Sequence, residues 1–312
     1  MAVGDIITAT RYNALQSRVE SILAVGAGTE GYNQTTSSGQ VPVGDLVTAS
    51  HLNQLFTDID RISRHQTNQA SGLITQALIG DLIADETSDN PDGTLKGFAD
   101  YETSMNTLES DPNRFRLSAL QSTTGSNSAS SQYTANWNQN LNAYFRVAWP
   151  NSNARRGYFN SGGTITFVSS LSSSASGGNV AKTNDWSTML SNAGTVTFNY
   201  NTTVTSNSGT GAAIGNYQLT SSEQQIFRKT GSGVYADNNY YIRAREINTS
   251  TIEVRINMNE ADTGQGFGKA PAPVDELVQG TLTTSLGFKR ASGSYVDSPV
   301  PTFTIQSAYS GS

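Results

Sequence analysis

The sequence predicts an α+β protein, with an N-terminal helical module followed by a mainly antiparallel β-sandwich of jelly-roll-like character. Two observations carry this. Residues 3–23 (VGDIITATRYNALQSRVESIL) and 43–63 (VGDLVTASHLNQLFTDIDRIS) are copies spaced 40 residues apart and identical at eight of 21 aligned positions; such a repeat marks one structural unit used twice. Beyond residue 99 the helical spacing gives way to short runs that alternate apolar and polar residues, the period of a strand with one buried face. The predicted division is therefore 1–98 for the helical module and 99–312 for the sandwich.

Within each copy a threonine, Thr8 or Thr48, stands where a helix N-cap is wanted. Apolar residues follow at helical spacing: Tyr12, Leu15, Val19 and Ile22 in the first copy, Leu52, Leu55, Ile59 and Ile62 in the second. Each copy reads as an extended Val-Gly-Asp lead and an amphipathic helix. Joined through the Gly-rich stretch 26–39, the pair is expected as an α-hairpin that buries too little to stand alone. Two partners for its stripes stay open: a third helix expected over 73–84 within the chain, or the same stripes of other subunits. In the second case those eight residues form a self-assembly interface. The run ETSDNPDG at 86–93 is a breaker, and the domain boundary is placed near it.

A helical or irregular segment through residue 120 and a polar stretch over 122–136 lead into the strands. These are expected at 143–149, 164–168, 195–200, 240–247, 251–258, 281–288 and 302–306. Asn248-Thr-Ser marks a hairpin turn between two of them. Arg243, Arg245, Glu253 and Arg255 alternate with apolar residues, so one face of that hairpin is solvated. Residues 184–190, with Trp186, Met189 and Leu190 on one side, read as a helix plugging an end of the sandwich.

Composition removes several chemistries. The 312 residues include no Cys and 2 His, which excludes thiolate nucleophiles, disulfides and Cys-ligated metals and argues against a multi-His centre. No metal or cofactor is predicted. A formal net charge of −6 disfavours binding of duplex nucleic acid, which requires clustered cations. The most apolar run, 73–84, is interrupted by Thr75, Gln76 and Asp81, so no membrane span is predicted. The first residues carry no basic and apolar leader, so synthesis in the cytoplasm without a signal peptide is expected.

Short motifs add little. Gly26-Ala-Gly-Thr-Glu-Gly31 matches a dinucleotide-binding string but follows a helix and precedes none, so it reads as a linker. Gly266-Phe-Gly-Lys269 lacks the first Gly and the Ser or Thr of a phosphate loop. The acids at 85–92 read as a solvated turn. Glu223, Asp237, Glu246, Glu253 and Glu260 are the carboxylates from which a glycosidase pair would have to come, but nothing in their spacing favours it. Arg155 and Arg156 beside Tyr158 and Phe159 read either as a strand entry or as a ligand contact.

The pattern Gly4-Asp-Ile-Ile-Thr-Ala-x-x-Tyr-Asn-x-Leu-Gln16, its sequel Gly31-Tyr-Asn-Gln34, Arg155-Arg-Gly-Tyr-Phe-Asn-Ser-Gly-Gly163 and Asn184-Asp-Trp-Ser-Thr-Met-Leu190 resemble virion structural proteins of tailed bacteriophages, most closely those of marine and cyanobacterial myoviruses. The resemblance implies a particle component at tail, neck or fibre, without enzymatic activity. The reading favoured here is a homo-oligomeric virion protein docked to other virion proteins through residues 1–98. The alternative is a module that binds host-surface glycan through residues such as Trp149, Arg155, Arg156, Tyr158, Tyr240 and Tyr241. A third reading, a polysaccharide-degrading enzyme, rests on the five carboxylates alone.

Overall fold

The computed structural model describes residues 7–72, 74–77, 97–111, 122–172, 175–261 and 276–311. The chain is an α+β protein that forms two compact units. The first comprises Met1–Thr123 together with Arg156–Gly163 and Arg290–Pro299, and the second Thr124–Arg155, Thr164–Lys289 and Val300–Ser312. The units thus interleave along the sequence instead of meeting at residue 98. A change of texture along the chain locates a continuous boundary and is blind to two short excursions of this kind.

The first unit is built on α1 (Ala9–Leu23), α2 (Ala49–Thr67) and α3 (Phe98–Ser110). Thr8 and Thr48 cap α1 and α2 as predicted, accepting from the backbone N–H groups of Arg11 and His51 at 3.3 and 3.4 Å. His51 Nδ1 accepts from the Thr48 N–H in return at 3.2 Å, so two otherwise unpaired donors are satisfied together.

The two copies do not form a hairpin. After α1 the chain turns back and runs extended along that helix. The Tyr32 N–H donates to Ile22 O, the Gln16 side chain donates to Ser38 O, and Asn13 bonds both the N–H and the carbonyl of Val41. α2 consequently starts beside the start of α1, where the Tyr12 hydroxyl donates to His51 O at 3.1 Å. On α3, Glu102 pairs with Arg11, and Glu109, one heptad on, pairs with Arg18, one heptad beyond Arg11. α1 and α3 therefore run in the same direction.

Where it is described, at 74–77, the segment expected as a helix over 73–84 is not helical, and its Ile74 is buried in this core. Residues 73 and 78–84, like the breaker at 86–93, lie outside the described residues. α3 presents Phe98, Tyr101, Met105 and Leu108 at helical spacing, and all four are buried with the α1 and α2 stripes. Ala291 and Val296, from the excursion at 290–299, close the same core. Among the described residues no helix is long and apolar enough to cross a membrane.

The second unit is a sandwich. Its strands in chain order are β1 (Ser122–Tyr133), β2 (Leu141–Ala148), β3 (Thr164–Ser172), β4 (Val196–Phe198), β5 (Thr203–Thr205), β6 (Thr210–Gly211), β7 (Gln224–Thr230), β8 (Asn239–Asn248), β9 (Thr251–Asn259), β10 (Thr281–Ala291) and β11 (Thr302–Gly311). One sheet has the order β1-β10-β3-β4-β5, the other β11-β2-β9-β8-β7-β6. β10 runs antiparallel to β3, and β9 runs antiparallel to both β2 and β8. Ile165, Phe167 and Phe198 of the first sheet meet Val147, Ile226, Ala244, Ile252 and Val254 of the second, which is the inner layer that period-2 alternation demands.

The stretch 122–136, read from sequence as a polar connection, supplies β1 at the edge of the first sheet. An edge strand is held by backbone pairing and does not need the apolar alternation by which strands are recognised. α5 (Val180–Ala193) brackets the predicted helix and packs beside β3 and β7. Its Trp186, Met189 and Leu190 are buried as their spacing requires. α4 (Ser152–Asn160) was not foreseen.

Candidate functional site

Strand parity builds a continuous polar face on the outside of the six-stranded sheet. Inward-pointing Ile242 and Ala244 of β8 fix Tyr241, Arg243 and Arg245 outward; inward Ile252, Val254 and Ile256 of β9 do the same for Glu253, Arg255 and Asn257. Register then arranges these side chains in rows across the strands. Arg146 of β2, Glu253 and Arg245 form one row; Tyr144, Arg255 and Arg243 the next; Asn142, Asn257, Tyr241 and Arg228 of β7 a third.

The charges on this face are unequal. Glu253 is shared by Arg245, at 2.5 Å, and Arg146, at 3.5 Å. Glu223, just before β7, is shared by Arg255 at 3.3 Å and Arg243 at 3.6 Å. Arg228 Nε donates to the neutral Asn239 Oδ1 at 2.8 Å. Five guanidinium groups thus face two carboxylates, an excess of three positive charges within this set on a chain of net charge −6. Two tyrosine rings lie among them. Arg228 and Arg243 sit over Tyr241 at 5.7 and 4.9 Å from its centroid, and Arg255 over Tyr144 at 5.7 Å. At these distances each ring face attracts its guanidinium electrostatically and helps to hold it in place on the sheet. Arg146 and Arg245 keep 43 and 44% of their side-chain surface in water.

Of the glycan-contact residues expected from sequence, only Tyr241 lies on this face. Trp149, Tyr158 and Tyr240 are buried at 4, 0 and 1% exposure and are withdrawn as contacts. Tyr240 has the opposite parity to Tyr241, so it enters the core and accepts from Ser169 Oγ at 3.0 Å; burial pushes its phenol pKa well up. Arg155 is also buried, held by Glu246 at 2.7 Å and Asn216 at 2.7 Å. Burial draws its pKa down and Glu246 opposes that. Arg156 donates to Val25 O and Gly26 O. The cluster at 155–159 is therefore structural: its cations are spent on capping and pairing and its aromatics on packing.

The expected assembly interface is likewise corrected. Tyr12, Leu15, Val19, Ile22, Leu52, Leu55, Ile59 and Ile62 are all between 0 and 4% exposed in the core of their own unit. With α3 on them, these stripes have no surface left for a second copy. The glycine string at 26–31, read from sequence as a linker, makes a turn. Gly26, Gly28 and Gly31 all have positive φ, and a Cβ at Gly31 would stand 2.1 Å from Val25 O. Gly266–Lys269 lies outside the described residues. Of the five carboxylates weighed for glycosidase chemistry, Glu223, Glu246, Glu253 and Glu260 are each paired with a cation, and Asp237 lies in an exposed turn.

Sequence reasoning missed Tyr144, Arg146 and Arg228 as members of the outer face. The signal was present as strand parity, which separates Tyr241 from Tyr240 and joins Tyr144 to Arg255. Compared with known proteins, the chain matches no family model, no curated protein and no solved structure.

Proposed function

We propose that this chain is a non-enzymatic structural protein of a bacteriophage virion, homo-oligomeric among other virion proteins, and that its sandwich binds an anionic glycan of the host surface. The N-terminal and 155–190 sequence patterns support the virion role. The observation that carries the binding role is the outer face of the six-stranded sheet, where five arginines stand over two carboxylates among stacked tyrosines. Guanidinium groups pair bidentately with carboxylate, sulfate or phosphate. Tyr144 and Tyr241 add ring surface suited to sugar faces, while Asn142 and Asn257, buried and bonded to each other at 2.8 Å, support the face from beneath. Contacts with other copies and with other virion proteins use surfaces other than the buried helix stripes.

Two measurements test this reading. Immunogold microscopy of purified particles, with antibody to the whole chain, is expected to label tail, neck or fibres; absence of label removes the virion role. A glycan array probed with the whole chain is expected to light up on uronate-, sulfate- or phosphate-bearing glycans and lose signal with added salt. Uniform silence removes the binding role.

A further inference from the structure

A buried polar cluster lies under α5. Lys182 of α5 and Asn238, just before β8, are completely buried, and the Glu260 side chain is 1% exposed. Glu260 Oε1 stands 3.1 Å from Lys182 Nζ, and Glu260 Oε2 accepts from Asn238 Nδ2 at 3.1 Å. Oε2 also accepts from Trp186 Nε1 at 2.7 Å, and Trp137 packs edge-on against Trp186 with ring centroids 4.9 Å apart. The side-chain carbonyl of Asn238 accepts the backbone N–H of Ala261 at 2.9 Å.

An ion pair needs only Lys182 and Glu260. A buried pair is commonly no better for stability than apolar residues of the same volume. What the ion pair does not explain is the amide: one carboxylate holds an amine on one oxygen and a carboxamide on the other, while a backbone donor polarises the carboxamide oxygen. These are the parts of an acyl transfer: a nucleophile, an electrophilic carbonyl, a group that moves the proton between them, and a donor placed where negative charge develops.

We infer that Lys182 and Asn238 are the two ends of an isopeptide cross-link that the folded chain forms by itself, with Glu260 as the proton carrier. The Lys182 ammonium gives a proton to Glu260, leaving a neutral amine and a carboxylic acid. Nζ attacks Cγ of Asn238, a C–N bond forms, and charge moves to Oδ1, where the Ala261 N–H meets it. Glu260 protonates Nδ2 and takes back a proton from Nζ. The C=O re-forms, the Cγ–Nδ2 bond breaks and ammonia leaves. Two side chains become one secondary amide, one ammonia is released, Glu260 ends protonated, and no oxidant or reductant takes part. Exclusion of water by Trp137 and Trp186 protects the intermediate from hydrolysis. The product ties α5 to the start of β8 covalently, doing in a cysteine-free chain what a disulfide does elsewhere.

The test is the intact mass of the purified, folded full-length chain, followed by a proteolytic map. The expected result is a mass lower than the sequence mass by one ammonia, with a branched peptide joining Lys182 to Asn238. A folded chain at its full sequence mass overturns the inference, and so does a mass loss that maps anywhere else. Glu260→Gln is expected to keep its ammonia while staying folded by circular dichroism. If that variant is cross-linked as fast as the parent, the role of Glu260 is wrong; if it does not fold, the map of the unaltered chain still decides.

Discussion

Asp58 and Ser38 are joined twice: the Asp58 Oδ2 atom accepts both the backbone N–H of Ser38, at 2.7 Å, and its hydroxyl, at 2.8 Å. The same carboxylate accepts the Ser37 N–H, and Arg61 reaches it at 3.3 Å. Asp58 has no exposed surface, so it is the point at which α2 pins the extended segment that returns along α1. Asp58→Ala leaves buried N–H groups without an acceptor and is expected to cost roughly 2–4 kcal/mol, with Asp58→Asn intermediate. Urea denaturation checks this, and a loss below half a kcal/mol for the alanine variant would show that the clamp contributes nothing.

His65, near the end of α2, is buried and meets Tyr32 edge-on at 4.9 Å. Burial lowers its pKa from 6.5 to about 4, against a smaller opposing effect of the Ser161 backbone. The folded chain therefore holds the ring neutral while the unfolded chain takes up a proton below about pH 6.5. This contribution to stability is complete above pH 6.5 and is lost as pH falls towards 4. The full loss is on the order of 3 kcal/mol. Thermal melts from pH 7 to pH 4.5 should fall more steeply for the parent than for His65→Phe. Parallel slopes would exclude His65 as the source of the acid sensitivity.

The eight stripe residues of α1 and α2 distinguish core from interface by experiment as well as by burial. Leu55 has no exposed surface and Leu15 only 2%. Leu55→Ala is expected to destabilise the helical unit by about 2–5 kcal/mol through the lost transfer energy and the cavity left behind. Leu15→Asp together with Leu55→Asp should unfold that unit. Light scattering on Leu55→Ala, kept folded at low temperature, should return the parent's oligomeric mass. A folded variant of lower mass would restore the stripes as a subunit interface.

How much of this was legible in the sequence follows from what each element depends on. Thr8, Thr48 and the stripes behind them depend on neighbours within two turns, and a sequence shows those directly. β8 and β9 depend on alternation over eight or more residues, which is equally visible. α2 starting beside α1 depends on Asn13, Gln16 and Asp58 bonding a segment 20 or more residues away, and no local period encodes that. β1 is Ser-rich and paired through its backbone, so its side chains carry no signal. At the candidate site, the solvated face of the β8–β9 hairpin was legible from Arg243, Arg245, Glu253 and Arg255. The choice of Tyr158 and Tyr240 as contacts failed because cations beside an aromatic look alike in sequence whether the ring points out or in. For Tyr240 the parity of Ile242 and Ala244 settled the direction; for Tyr158 the ring is buried against Gly163, where a Cβ would stand 2.6 Å from the ring carbons, within an unforeseen helix–turn.

Glu223 and Arg243 make opposite predictions for the outer face. Glu223 occupies Arg243 and Arg255 at 3.6 and 3.3 Å, so Glu223→Gln frees two guanidinium groups and raises the local positive charge, whereas Arg243→Ala lowers it and bares Tyr241. If an anionic glycan binds here, Glu223→Gln should tighten binding and Arg243→Ala weaken it, each by about 0.2–1 kcal/mol, or up to about fivefold, at low salt. Both effects should shrink in high salt because the groups are partly exposed. Arg243→Lys keeps the charge but loses the flat fork and its stacking on Tyr241, so it should behave like the alanine variant if bidentate pairing governs and like the parent if charge alone does. None of the three substitutions touches the sandwich core, so melting temperatures should stay close to the parent's. Calorimetric titration of the parent and the three variants with one glycan that binds on the array decides the matter. Equal affinity for Glu223→Gln and Arg243→Ala would place the binding surface elsewhere on the molecule.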